Sequence, residues 1–187
     1  MGVLAFLSLT LVLLFGPALA PSARATQANP QLEALFARLQ ATQDAGEGEA
    51  IQAAIWEVWT ETDDKAAARM MAIGIIAMGQ DRLDDALSTF DALVEAAPDF
   101  AEAWNKRATV RYLSGDLEGS VDDIERTLEL EPRHFGALSG LGLIYQEIEK
   151  WDAALRAFEA ALKINPHMPT VRANIEMLRQ RSRESRP

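Results

Sequence analysis

From residue 30 onward, apolar side chains recur at three- and four-residue intervals, the period of a helix with one buried face. In PQLEALFARLQAT, Leu35, Phe36 and Leu39 form one stripe; in EAIQAAIWEVWTE, Ile51, Ile55, Trp56 and Trp59 form another. The glycines of DAGEG separate them, so residues 26–66 are predicted to hold a helical pair. At the other end, PTVRANIEMLRQRSRES predicts a single helix with Val171, Ile175 and Leu178 facing inward.

Between these ends the pattern repeats. Pro98, Pro132 and Pro166 stand 34 residues apart. Gly74, Ala108 and Gly142 keep the same spacing, as do Leu83, Leu117 and Trp151, Ala86, Ser120 and Ala154, and Phe90, Ile124 and Phe158. Each period reads as a helix of about 13 residues, a polar turn such as Gly79-Gln80-Asp81 or Ser114-Gly115-Asp116, a second helix and a proline stop. Small residues at Gly74, Gly142, Ala86 and Ala154 allow two helices to approach, and Phe90, Phe158, Leu141 and Tyr145 fill the space between them. One such pair cannot bury its apolar face alone, so neighbours must stack.

The third copy carries Leu138, Leu141, Gly142 and Tyr145, then Ala154, Phe158 and Pro166. This matches the pattern W-x2-L-G-x2-Y, A-x3-F, P at all but its first position. The first copy (Met70, Ile73, Gly74, Ala77; Ala86, Phe90; Pro98) and the middle copy (Trp104, Arg107, Ala108, Arg111; Ser120, Ile124; Pro132) depart further. Residues 67–168 thus resemble tetratricopeptide repeats, divided as 67–100, 101–134 and 135–168. The resemblance implies an all-α solenoid of helix-turn-helix repeats. On it, 26–66 reads as a degenerate first repeat and 169–187 as a capping helix with a basic tail. It also implies a concave face lined by the first helix of each repeat, where a protein or peptide docks. The candidate lining residues are Met71, Ile75 and Met78, then Asn105, Thr109 and Tyr112, then Ser139, Leu143 and Gln146. The lysine-and-asparagine clamp that some members use on C-terminal carboxylates is not reproduced.

The first 25 residues differ from the rest. An apolar run from Val3 to Phe15, a Gly16-Pro17 break and small residues before Ala25 match an export signal, with cleavage expected after Ala25. No Lys or Arg precedes the run, so a retained membrane anchor stays open, although 13 residues are short for a bilayer. The expected location is the periplasm or, with the anchor retained, the inner membrane.

A net charge of −10 disfavours nucleic acid, which needs a basic footprint. The absence of cysteine removes disulfides, thiolate nucleophiles and cysteine metal sites. No phosphate-cradling glycine loop, Ser-His-Asp set or HExxH helix occurs, so neither catalysis nor a cofactor or metal is expected. His134 and His167 are expected at inter-repeat turns, as surface or turn histidines. The middle repeat is unusual in placing Arg107 and Arg111 four residues apart where large apolar side chains belong. Two accounts stay open: a structural ion pair, with Asp99, Asp122, Asp123 or Glu125 as partner, or a basic island of Lys106, Arg107, Arg133 and His134 for an acidic partner. Gly136 and Gly140 leave one helix face bare, for close packing or for a ligand. The expected role is an interaction scaffold or adaptor of the cell envelope; the alternative is a membrane-tethered structural or accessory subunit. Nothing in the residues sets the oligomeric state.

Overall fold

A computed structural model describes residues 30–184, so both signal and anchor readings of the first 25 residues fall outside the described part. Within that part there are nine helices: α1 (Pro30–Ala41), α2 (Ala45–Thr60), α3 (Lys65–Gly79), α4 (Leu83–Ala96), α5 (Ala101–Leu113), α6 (Leu117–Leu130), α7 (Phe135–Glu147), α8 (Trp151–Ile164) and α9 (Pro169–Glu184). Three antiparallel pairs, α3–α4, α5–α6 and α7–α8, form the stack, and each second helix also packs on the next first helix.

The 34-residue columns have direct structural meanings. A β-carbon on Gly74 would lie 2.5 Å from the Phe90 ring, and one on Gly142 would lie 2.5 Å from Phe158. The two helices of a pair therefore touch at a glycine, and alanine there would force them apart. In the middle pair Ala108 and Ser120 replace that contact, with Ser120 Oγ donating to the Ala108 carbonyl at 2.8 Å. The turns repeat too. Asp81, Gly115 and Glu149, one period apart, all adopt a left-handed backbone with φ of 58°, 82° and 58°. Asp64 and Asp116 accept amide hydrogen bonds at the starts of α3 and α6, and His134 does the same for α7 through Nδ1.

α9 continues the stack as the sequence predicts: Val171, Ile175 and Leu178 are buried against Ala154, Phe158 and Ala161 of α8. The N-terminal pair does not. Instead of stacking on α3 as a first repeat, α1–α2 lies against α5 and against the loops that precede α7 and α9. Phe135, Ile164 and Met168 join its apolar cluster. The side chain of Gln40 donates to the carbonyls of Lys163 and Ile164, and Asn165 donates to Gln52. A β-carbon at Gly48 would overlap the ring of His167. The correction has a physical reason. The apolar stripe of α2 ends in Trp56 and Trp59, whose rings find aromatic partners at the α6–α7 junction and not on the aliphatic α3.

Candidate partner-binding groove

The junction that receives α2 is built around His134. This side chain lies at the inter-repeat turn as expected, but it is fully buried, which overturns the surface alternative. Its ring stacks on Trp59 with centroids 4.1 Å apart and planes 10° from parallel, while Trp56 meets it edge-on at 5.4 Å. Nδ1 accepts the Ala137 amide hydrogen at 3.0 Å, so the proton sits on Nε2, which faces Glu102 Oε2 at 2.8 Å. Glu102 is also fully buried, with Asn105 Nδ2 donating to Oε2 at 3.1 Å and the Lys106 ammonium paired with Oε1 at 2.9 Å. Burial pushes the Glu102 carboxyl up; the His134 hydrogen bond and the Lys106 charge outweigh it and hold the carboxyl below its ordinary range.

The four residues of the basic island do not form a common cationic surface. Arg107 forks onto Asp123 at 2.9 and 2.6 Å and reaches Asp91 at 2.8 Å. Arg111 pairs with Asp123 at 3.2 Å and donates to the Gly119 carbonyl. Asp123, one of the four carboxylates considered, is thus a partner of both arginines, and Asp91 and Asp116, outside that set, pair with Arg107 and Arg111 respectively. Arg133 pairs with Glu131 and with Glu33 of α1, and its guanidinium covers the Phe36 ring at 4.4 Å. Lys106 lies 5.1 Å above the Trp56 ring as well as beside Glu102. Lys106, Arg107 and Arg133 of the island each have a carboxylate close by, and His134 is enclosed.

The nine lining candidates separate into three groups. Met71 is 2% exposed in the core between α3 and α4, and Met78 packs against the same core, so neither forms an open lining. Asn105 is buried too, at the floor beside Glu102. Ile75 is exposed on α3, away from the cavities next to α5 and α7. Thr109, Tyr112, Ser139, Leu143 and Gln146 do come together, on adjoining faces of α5 and α7. Tyr112 donates to Glu147, and burial first, then that carboxylate, raises its phenol above the ordinary value.

Two cavities meet at Tyr112 and Leu143. One, of about 300 Å³, has Trp56 and Lys106 as its wall and Gly136 and Gly140 in its lining. Gly136 serves close packing, since a β-carbon there would lie 2.5 Å from the Trp56 ring; at Gly140 a β-carbon would meet only Ile124, at an ordinary contact distance of 3.6 Å. The other, of about 650 Å³, runs along Gln146 and Trp151 to Met177 and Arg181 of α9. The side-chain oxygen of Gln146 is buried without a hydrogen-bond partner. Helical periodicity identified Trp56 as apolar, but nothing local marks it as the wall of a groove formed by residues 50 to 90 positions later. Met177 and Arg181 were legible only as part of a cap. Among the described residues no cluster of His, Asp or Glu could hold a metal ion, and no helix is long and apolar enough to cross a membrane.

Sequence profiles for the tetratricopeptide repeat match residues 71–132 and 136–168. A TPR repeat-containing protein of Rhizobium etli is 32% identical over 151 residues, which cover 81% of this chain and 74% of that protein. The chain belongs to the tetratricopeptide repeat family. Its fold resembles the Sgt2 TPR domain from Aspergillus fumigatus, with a TM-score of 0.61, 20% identity and coverage of 65% of this chain and 82% of that one. It also resembles the first TPR domain of Spaghetti (RPAP3) bound to the HSP90 peptide SRMEEVD, with a TM-score of 0.61, 18% identity and coverage of 63% and 94%. The matched repeats span most of α3 and all of α4 to α8; α1–α2 and α9 lie outside those matches.

Proposed function

We propose that this tetratricopeptide protein is a non-catalytic interaction scaffold that binds a peptide or helix of another protein between α5, α7 and α9. One observation carries the reading: Leu143, 37% exposed, and the half-buried Tyr112 sit where two open cavities join, on the face that the second helices leave free. A short apolar side chain from a partner fits there. The peptide-bound state of the Spaghetti neighbour supports a peptide as occupant. The export-like first 25 residues support a role in the cell envelope, as a periplasmic adaptor or, with the segment retained, a tethered subunit.

Affinity purification from the native envelope fraction tests the reading. Leu143→Asp, with Tyr112→Ala as a second variant, should lose the partner set retained by wild type. Retention of the same set by both variants would remove the groove from the function. Mass spectrometry of the mature N-terminus separates adaptor from tethered subunit: a chain beginning at Thr26 supports the former, and an intact residue 1 in the membrane fraction supports the latter.

A further inference from the structure

The displacement of α1–α2 into the groove region leaves one face of α3 uncovered. Ile73 and Ile76 are 49% and 55% exposed, although both are large aliphatic residues on a helix at the edge of the stack. The internal repeat shows what this face is built for. One and two periods after Ile76 stand Val110 and Ile144, which are 0% and 1% exposed. Two periods after Ile73 stands Leu141, packed in the α5–α6–α7 cluster with Ile144. In these interior copies the covering element is the second helix of the preceding repeat, α4 on α5 and α6 on α7. A helix in that position therefore belongs to this architecture at every first helix, and at α3 the chain's described residues do not supply it.

Charge indicates its chemistry. α3 carries no acidic residue, and Lys65 and Arg69 are exposed without an ion pair among the described residues, on a protein of net charge −10. A second copy docking α3 against α3 would bring the same two cations to both sides of the interface, which like-charge repulsion opposes. α6, which covers the equivalent Leu141 and Ile144, has five acidic residues and one basic residue in its 14. We propose that the Ile73–Ile76 face of α3 is a second docking site, separate from the groove, for an acidic amphipathic helix of a partner protein lying as a preceding repeat's second helix would.

The test uses the full chain with its isoleucine methyl groups observed by NMR, and a stapled synthetic helix with the α6 sequence LEGSVDDIERTLEL as probe. The probe should shift Ile73 and Ile76 saturably. Ile76→Asp should weaken it about tenfold or more, as loss of a central apolar anchor does. Arg69→Glu should weaken it less, and added salt should diminish the Arg69 effect. Leu143→Asp in the groove should leave it unchanged, so failure of one site does not touch the other. No response at Ile73 and Ile76, or response at Ile144 beside the groove instead, would overturn the proposal. A wild-type dimer that Ile76→Asp converts to monomer in sedimentation would overturn it in favour of a second copy. Removal of residues 1–29 that shifts the Ile73 and Ile76 signals before probe is added would overturn it in favour of that segment.

Discussion

The two ends of the stack solve the same problem differently. α9 covers α8 by continuing the period, with an aliphatic stripe against Ala154, Phe158 and Ala161. α1–α2 leaves the period and docks through Trp59, His134 and Phe135, with buried polar groups at the centre of the contact. An aliphatic stripe is interchangeable with any other of similar width, so its position is set by chain order. A stacked ring pair with a directed hydrogen bond fits one place only, and it can override chain order. The consequence reaches function, because the same docking walls the groove with Trp56 and bares α3.

Breaking the aromatic end should cost most. Trp59→Ala is expected to remove about 3–5 kcal/mol from unfolding stability, the range for a large buried aromatic. Hydrogen exchange should show protection lost across α1 and α2 and at the α6–α7 junction together, while α3–α4 stays protected. Loss confined to α2 would contradict a shared cluster. Ile175→Ala at the other end should cost about 2 kcal/mol, the low side of the aliphatic range, because a terminal helix can fray instead of holding a cavity. Its exchange signature should stop within α9 and the facing turn of α8, leaving α1–α2 untouched.

The repeats were legible because close helix approach restricts residue size at fixed spacing, and a periodic restriction is visible without structure. Gly74, Gly142, Phe90 and Phe158 announced their contacts in this way. Asp123 was legible in part, since an arginine at an apolar position requires a nearby carboxylate. The burial of His134 was not, since its partners come from α2 and α5, 75 and 32 positions earlier, and its own turn looks polar. Only part of the candidate lining lies together, for a related reason. The helical period identifies which residues share a face, but Met71 and Met78 share theirs with the α4 side of α3, and only packing shows which side that is.

The smallest expected effect examines the polar centre of the α2 contact on its own. Glu102→Gln keeps the size of the side chain but replaces charge-assisted bonds from His134 and Lys106 by neutral ones, a loss of about 1–2 kcal/mol near neutral pH. The groups facing Glu102 are the Lys106 ammonium on its own helix and the His134 Nε2–H from the α6–α7 junction; Asn105 adds a further uncharged donor. Together they hold the folded carboxyl below its ordinary value of 4.5 against the opposing effect of burial. A depressed folded value stabilises the protein at all pH above the ordinary one, and that contribution drains away as pH falls below 4.5 toward the folded value. Urea midpoints should therefore differ between wild type and Glu102→Gln near neutral pH and converge as the solution is acidified below 4.5. A gap that stays constant through that window would mean that Glu102 contributes packing and hydrogen-bond geometry but no charge, and that the aromatic rings alone hold α1–α2 out of the stack.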